Sequence, residues 1–242
     1  KEETVKSQYH IPFKGDIEEL TREDVLFKEE GLPMRAGFSL PLSLNPKTDG
    51  EWIRNLNGYN IWRVQLNSPG AKALGIVMND FFIPENGALY IYKPDKSQLI
   101  GAYTSLHNNS EQVISTQFIE GESIIVEYQE KATIGNKSFD LFSCQITELV
   151  YLYNTNFPAG NGKDLGNSGP CEVNINCSPE GDNWQTEKQG VARIILREGT
   201  TWYYCTGSLV NNTLYDAKPY FLTADHCGQA STAEDFLVWQ FY

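Results

Sequence analysis

The spacing of apolar positions divides this chain. From about residue 36 to 153 their period is two. Trp62, Val64 and Leu66 alternate with Ile61, Arg63 and Gln65, and Leu74, Ile76 and Met78 form the next set. Leu89 and Ile91 alternate with Tyr90 and Tyr92, and Ile124, Val126 and Tyr128 repeat the pattern. Such alternation turns one set of side chains to one face of a strand. Turn-forming residues separate the runs at Ser68-Pro69-Gly70, at Pro84 to Gly87 and at Lys93-Pro94-Asp95. Short strands at near-regular spacing predict an antiparallel β-sandwich, closed by Phe139 to Cys144 and Glu148 to Tyr153.

The flanks read differently. Residues 1–35 are charged and weakly patterned, with Asp16 to Asp24 as the one helix-like stretch, and are expected to form a leader arm. Residues 154–170 are dense in Asn, Gly and Pro, a composition hard to fold and easy to cut. They are expected to be a linker and a processing region, with Lys163-Asp164 and Leu165-Gly166 as candidate cleavage points. A second β-rich region follows over residues 171–242, with apolar runs at Gly190 to Leu196 and Tyr204 to Val210. The expected fold class is all-β throughout.

Composition supports short strands over long helices: 20 Gly, 11 Pro, 13 Tyr and 12 Phe in 242 residues. The net charge of -12 disfavours nucleic-acid binding, which needs a basic face to neutralise phosphates. No apolar run is long enough to span a membrane. The chain opens on Lys1-Glu2-Glu3 without a Met, which fits a leader removed before this point. Of the five cysteines, Cys171, Cys177, Cys205 and Cys227 crowd into the last third, which points to local disulfides and an exported protein. Cys144 stands apart in an alternating segment and reads as a buried thiol. The odd count leaves at least one free thiol or one partner outside the chain. No Cys-x-x-Cys or His-Glu-x-x-His occurs, so neither a metal nor another cofactor is expected.

The strongest chemical signal is Cys205-Thr-Gly-Ser-Leu-Val210 followed by Lys218-Pro-Tyr-Phe-Leu-Thr-Ala-Asp-His-Cys-Gly228. It predicts a hairpin that turns sharply at Thr223-Ala224 and places His226 at the end of the turn. The pair of motifs resembles the chymotrypsin-type serine proteases. More closely, Gly166 to Cys171, Cys177 to Asp182, Cys205 to Asn212 and Tyr220 to Cys227 look like the start of the bacterial lysyl endopeptidases. The preceding sandwich is similar to the propeptides of that family, through weaker motifs such as Ile61-Trp-Arg and Ser68-Pro-Gly-Ala71.

The resemblance implies roles. His226 is then the triad base, Cys205 and Cys227 form a disulfide, and Cys171 and Cys177 pair with cysteines further downstream. Residues 171–242 become the incomplete first β-barrel of a protease whose triad Asp and Ser, and whose acidic pocket for lysine, lie beyond Tyr242. On this expectation the chain is the propeptide and front segment of a secreted or periplasmic bacterial precursor, a zymogen inactive alone. Its partners are a protein or peptide substrate and the remaining C-terminal protease segment, supplied by the same gene or by a separate chain.

Plainer readings compete with some of these assignments. Asp225 neighbours His226 in the chain, where adjacent side chains seldom face each other, and reads as a solvated carboxylate. Ser168 lies in a Gly-x-Ser-Gly context but inside the linker, and reads as a loop serine. His10 and His107 have no clustered ligands and read as surface residues, and the patterns Asn108-Asn-Ser110 and Asn211-Asn-Thr213 are too common to assign glycosylation. Trp62, Tyr90 and Tyr92 read as sandwich core and rim rather than as a sugar platform. Two other functions remain: a non-enzymatic extracellular binding module with a vestigial protease segment, and a cysteine-rich adhesion fragment, which predicts a Cys171–Cys177 bridge.

Overall fold

The computed structural model describes residues 5–131, 141–155 and 173–242. Fifteen strands dominate it: β1 (Gln8–His10), β2 (Met34–Leu44), β3 (Glu51–Arg54), β4 (Tyr59–Asn67), β5 (Ala73–Phe82), β6 (Gly87–Tyr92), β7 (Leu99–Tyr103), β8 (Ile114–Ser115), β9 (Ile119–Glu120), β10 (Ser123–Lys131), β11 (Ser143–Leu152), β12 (Val191–Glu198), β13 (Thr201–Val210), β14 (Tyr220–Thr223) and β15 (Gln240–Phe241). Two helices accompany them, α1 (Ile17–Glu29) and the single turn α2 (Ala233–Phe236). The fold is all-β, as the alternation predicts, and no closed barrel forms among the described residues.

Two sheets face each other. One runs β1-β4-β10-β6-β7, with β3 also on β4; the other runs β15-β12-β13-β2-β11-β5-β8, with β14 on β13 and β9 on β5. The alternating residues fill the space between them. Trp62, Val64, Leu66, Leu74, Ile76, Met78, Leu89, Ile91, Ile124, Val126 and Tyr128 are all sealed from solvent in one cluster. Trp62 satisfies its buried indole N–H on the Asp49 carbonyl at 2.8 Å. The anticipated turns close as expected: Gly87 N–H donates to the Pro84 carbonyl, and Lys96 N–H to that of Lys93.

The first 35 residues contribute more than their weak pattern suggests. β1 pairs with β4, the one parallel ladder in the structure described, from Gln8 opposite Gln65 to His10 opposite Asn67. Tyr9, Ile11, Phe13, Ile17 and Leu20 pack against the main core. Helix α1 starts where Asp16 accepts hydrogen bonds from the N–H groups of Glu18 and Glu19. Its first half is tied to β2 by Arg35, which reaches Glu23, Asp24, the Leu20 carbonyl and Tyr153.

The later strands do not stand apart from the sandwich. β13 pairs with β2, Thr201 opposite Phe38 and Tyr204 opposite Met34, so one sheet runs from the sandwich into the last third of the chain. Gly37 permits the crowding on the β11 side, because a Cβ there would lie 2.0 Å from the Tyr151 carbonyl oxygen. Beyond this sheet lies a second apolar cluster that joins Ala36, Ala73, Val77, Phe118, Val150 and Leu152 to Ile195, Trp202, Tyr204 and Val238. This explains why β5 is buried without interruption from Ala73 to Met78: both of its faces are covered.

Polar groups seal the same junction. Arg197 donates to Glu148 at 2.5 Å and to Asp235 at 2.7 Å, linking β12 to β11 and to α2. Ser39 donates to Glu148 and accepts the Trp202 indole N–H at 2.9 Å. Tyr204 donates to the Asn154 carbonyl, and Gln240 to Thr116 and Ser115. Burial raises the Asp235 pKa, but hydrogen bonds from Thr232, Arg197 and Gly199 outweigh it and hold the carboxyl below its usual range. A carboxyl depressed in the folded state stabilises the fold above its unfolded pKa of about 3.9 and loses that contribution as pH falls through the folded value. Asp235→Asn should therefore lower stability by about 3 kcal/mol near neutral pH, as expected for breaking a buried pair. In chemical denaturation the gap to the unmodified chain should shrink as pH drops below about 4; a gap constant with pH would contradict the ionic account.

Candidate active site

His226 is placed by the β13–β14 hairpin. β14 runs antiparallel to β13, with Tyr220 opposite Val210 and Thr223 opposite Gly207. Gly207 has no side chain to obstruct this approach: a Cβ would lie 2.3 Å from the Phe221 ring and 2.5 Å from the Leu222 carbonyl oxygen. The Gly of the Cys-Thr-Gly-Ser-Leu motif is thus a packing requirement. Thr223 donates to the Thr206 carbonyl at 2.9 Å, and the chain leaves the strand through Ala224 in an extended conformation. One turn of 3-10 helix follows over Asp225–Cys227, closed by Cys227 N–H to the Ala224 carbonyl and Gly228 N–H to that of Asp225.

Cys205 and Cys227 are bonded, with Cα atoms 6.1 Å apart, well inside the span a disulfide can bridge. The bridge packs on Ile194, Leu196, Tyr203, Phe221 and Trp239, a small apolar cluster under the turn. His226 itself is exposed, and an imidazole nitrogen lies within 4.8 Å of both sulfurs. These three residues have the proximity of a metal-binding group, but each sulfur is bonded to the other and neither is a thiolate. The donor set therefore does not suit a metal. Among the described residues no side chain hydrogen-bonds to the His226 ring, and Asp225 is exposed.

The other candidates are spread over the molecule. Lys163, Asp164, Leu165 and Gly166, together with Ser168 and Cys171, lie outside the described residues. Cys177 is an exposed free thiol, so the Cys171–Cys177 bridge of an adhesion fragment does not form at that residue. Cys144 is buried, and burial pushes its thiol well above the usual range. His10 and His107 are exposed, and His107 accepts the Thr104 N–H, which places it in a local turn. Asn108 spends its amide on both backbone groups of Ile83. The features that the motif reading missed are the node at Arg197 and the sealed Trp202; the alternation of Trp202 and Tyr204 is the sequence signal that could have found the second.

Residues 165–242 match the family model described as "Lysyl endopeptidase, C-terminal domain". A lysyl endopeptidase of Pseudomonas aeruginosa strain PAO1 is 24% identical over 233 residues, covering 91% of this chain and 49% of that protein. No solved structure matches. The chain spans about half the length of this relative. The hairpin that carries His226 and the Cys205–Cys227 bridge lies within the matched segment. Over residues 165–242 the chain is similar to the C-terminal domain of the lysyl endopeptidases.

Two outcomes follow from the geometry. Replacing both Cys205 and Cys227 with Ser should cost about 3 kcal/mol, the amount expected for opening a loop of this size. Hydrogen exchange should show the loss at β13 and β14 while β4 and β10 keep their protection; unchanged exchange in the hairpin would count against the clamp. Alkylation of the native chain followed by mass spectrometry should mark Cys177 and spare Cys144 until denaturant is added, whereas rapid native labelling of Cys144 would contradict its burial.

Proposed function

We propose that this chain is the front part of a secreted bacterial serine endopeptidase precursor that hydrolyses peptide bonds after lysine. Residues 36–153, with the leader arm before them, act as the propeptide; residues 154–170 are the linker, cut between Lys163 and Gly166; residues 171–242 begin the protease. The observation that carries this reading is His226, exposed at the end of a hairpin and clamped beside the Cys205–Cys227 bridge. A general base must meet its nucleophile at hydrogen-bond distance, and small misplacements are costly.

In the complete protein His226 takes the proton of a serine hydroxyl as that oxygen attacks the scissile carbonyl, then returns it to the departing amine. A carboxylate must hold the other ring nitrogen, and that position is open in the described residues. The serine, the carboxylate and the acidic pocket for lysine come from the downstream protease segment, which is the partner of this chain along with the substrate. Two features of the hairpin suit such a partner. Leu209, Val210, Tyr220, Leu222 and Phe241 lie exposed on β13, β14 and β15, and the buried Trp239 indole N–H finds no acceptor among the described residues. Export fits the disulfide, and no helix described here is long and apolar enough to cross a membrane. No cofactor is needed for this chemistry.

The test compares the full-length gene product with its His226→Ala variant on lysyl peptide substrates. The variant should lose kcat on the order of 10⁴ to 10⁶-fold with its fold unchanged, and the 242-residue chain alone should show no turnover. Full activity in the His226→Ala protein would overturn the assignment.

A further inference from the structure

The imidazole of His226 and the sulfurs of Cys205 and Cys227 have a second chemistry that the bridge conceals. Among the described residues they alone form a group of three metal-ligating side chains, with donor atoms within 4.8 Å of one another. Zinc binds sulfur at about 2.3 Å and nitrogen at about 2.0 Å in a tetrahedron, which sets neighbouring donors about 3.5 to 3.8 Å apart. Bonded to each other, the sulfurs are too close for that spacing and carry no charge. As thiols, the state in which every cysteine is synthesised, they can separate to it and ionise. The His226 ring is exposed and has room to close on them.

The backbone holds these donors together without help from the bridge. β14 pairs with β13 as far as Thr223 opposite Gly207, two residues from Cys205. Thr223 donates to the Thr206 carbonyl, and the turn closes through Cys227 N–H to the Ala224 carbonyl. The Cα atoms of Cys205 and Cys227 stand 6.1 Å apart as a result. Charge fits as well. Two thiolates, a neutral imidazole and a divalent cation sum to zero, so the complex rests on Ile194, Leu196, Phe221 and Trp239 without burying a net charge. Neither Cys144 nor Cys177 belongs to such a group among the described residues.

We propose that, before the bridge closes, Cys205, His226 and Cys227 bind a soft divalent cation such as zinc, with water in the fourth position. Each cysteine releases its proton to solvent as the metal binds, and no electron is transferred. The two cysteines are 22 positions apart and the histidine adjoins one of them, a spacing that no common zinc motif shares. The metal staples the hairpin in the reduced chain as the disulfide does in the oxidised one, and it occupies a nitrogen of the imidazole. That the loaded chain thereby lacks its general base rests on the peptidase reading; the binding does not.

The test uses the 242-residue chain carrying Cys171→Ser and Cys177→Ser, which removes the other exposed thiol and its neighbour. A phosphine reduces the bridge, taking oxygen from water while the two sulfurs take the hydrogens, and is then removed without air. Cobalt(II), a spectroscopic substitute for zinc, should bind once per chain, with sulfur-to-metal charge-transfer absorption and the ligand-field bands of a tetrahedral site. Zinc should displace it. His226→Ala should weaken binding at least about tenfold, the scale of a lost metal-site contact, and should alter the ligand-field bands while the charge transfer persists. Hydrogen exchange at β13 and β14, faster after reduction, should slow again with zinc. No tetrahedral spectrum in the reduced chain, the same binding by the bridged chain, full affinity in the His226→Ala variant, or hairpin exchange indifferent to zinc would each overturn the proposal. Peptidase activity belongs to the oxidised full-length protein and is measured there, so either reading can fail while the other stands.

Discussion

The bond between Cys205 and Cys227 is the constraint on which the functional account depends. It joins a strand to the turn that follows the next strand, so the short 3-10 turn carrying His226 cannot drift from the sheet. A single exposed turn at a strand end would otherwise be among the first parts of a β protein to open. Crosslinked, and floored by Ile194, Leu196 and Phe221, it presents its imidazole to solvent from a fixed base. Rigidity beneath and accessibility above are what a general base requires.

The segment bearing this turn shares both hydrogen bonds and core with the sandwich. β2 and β14 take the same edge of β13, one along Thr201 to Tyr204 and the other along Gly207 to Val210, while β12 covers the opposite edge. Trp202 sits where these contributions meet, sealed by Phe118 on one side and bonded to Ser39. The stability of the His226 hairpin is therefore coupled to the sandwich through pairing, packing and the Arg197 node together. The propeptide role proposed above would require such a coupling, and pairing of β2 with the open edge of β13 is one way to provide it without a large new surface.

Much of this was legible in the chain. The alternation from Trp62 to Tyr128 gave the strands of the sandwich and the side that faces inward, because a half-buried strand must alternate. The Cys205 and Thr223 to Cys227 motifs located the hairpin, its turn and the exposed histidine. What escaped had a physical reason in each case. β1 is three residues long, too short for any period to declare itself, and its pairing is set by the distant β4. The alternation of β5 gave only one of its buried faces, since Ala73 and Val77 meet a cluster that includes Ile195, Trp202 and Val238, more than a hundred positions away. The Arg197 node joins Glu148 and Asp235 across three elements, and no local pattern encodes such a meeting.

The most direct measurement of the central claim is covalent. A chloromethyl ketone carrying a lysine side chain, offered to the processed full-length protein, should alkylate the His226 imidazole and inactivate the enzyme, with mass spectrometry finding the adduct on the peptide that contains Cys227. Inactivation with the adduct on another residue, or peptidase activity that survives quantitative alkylation of His226, would contradict the account.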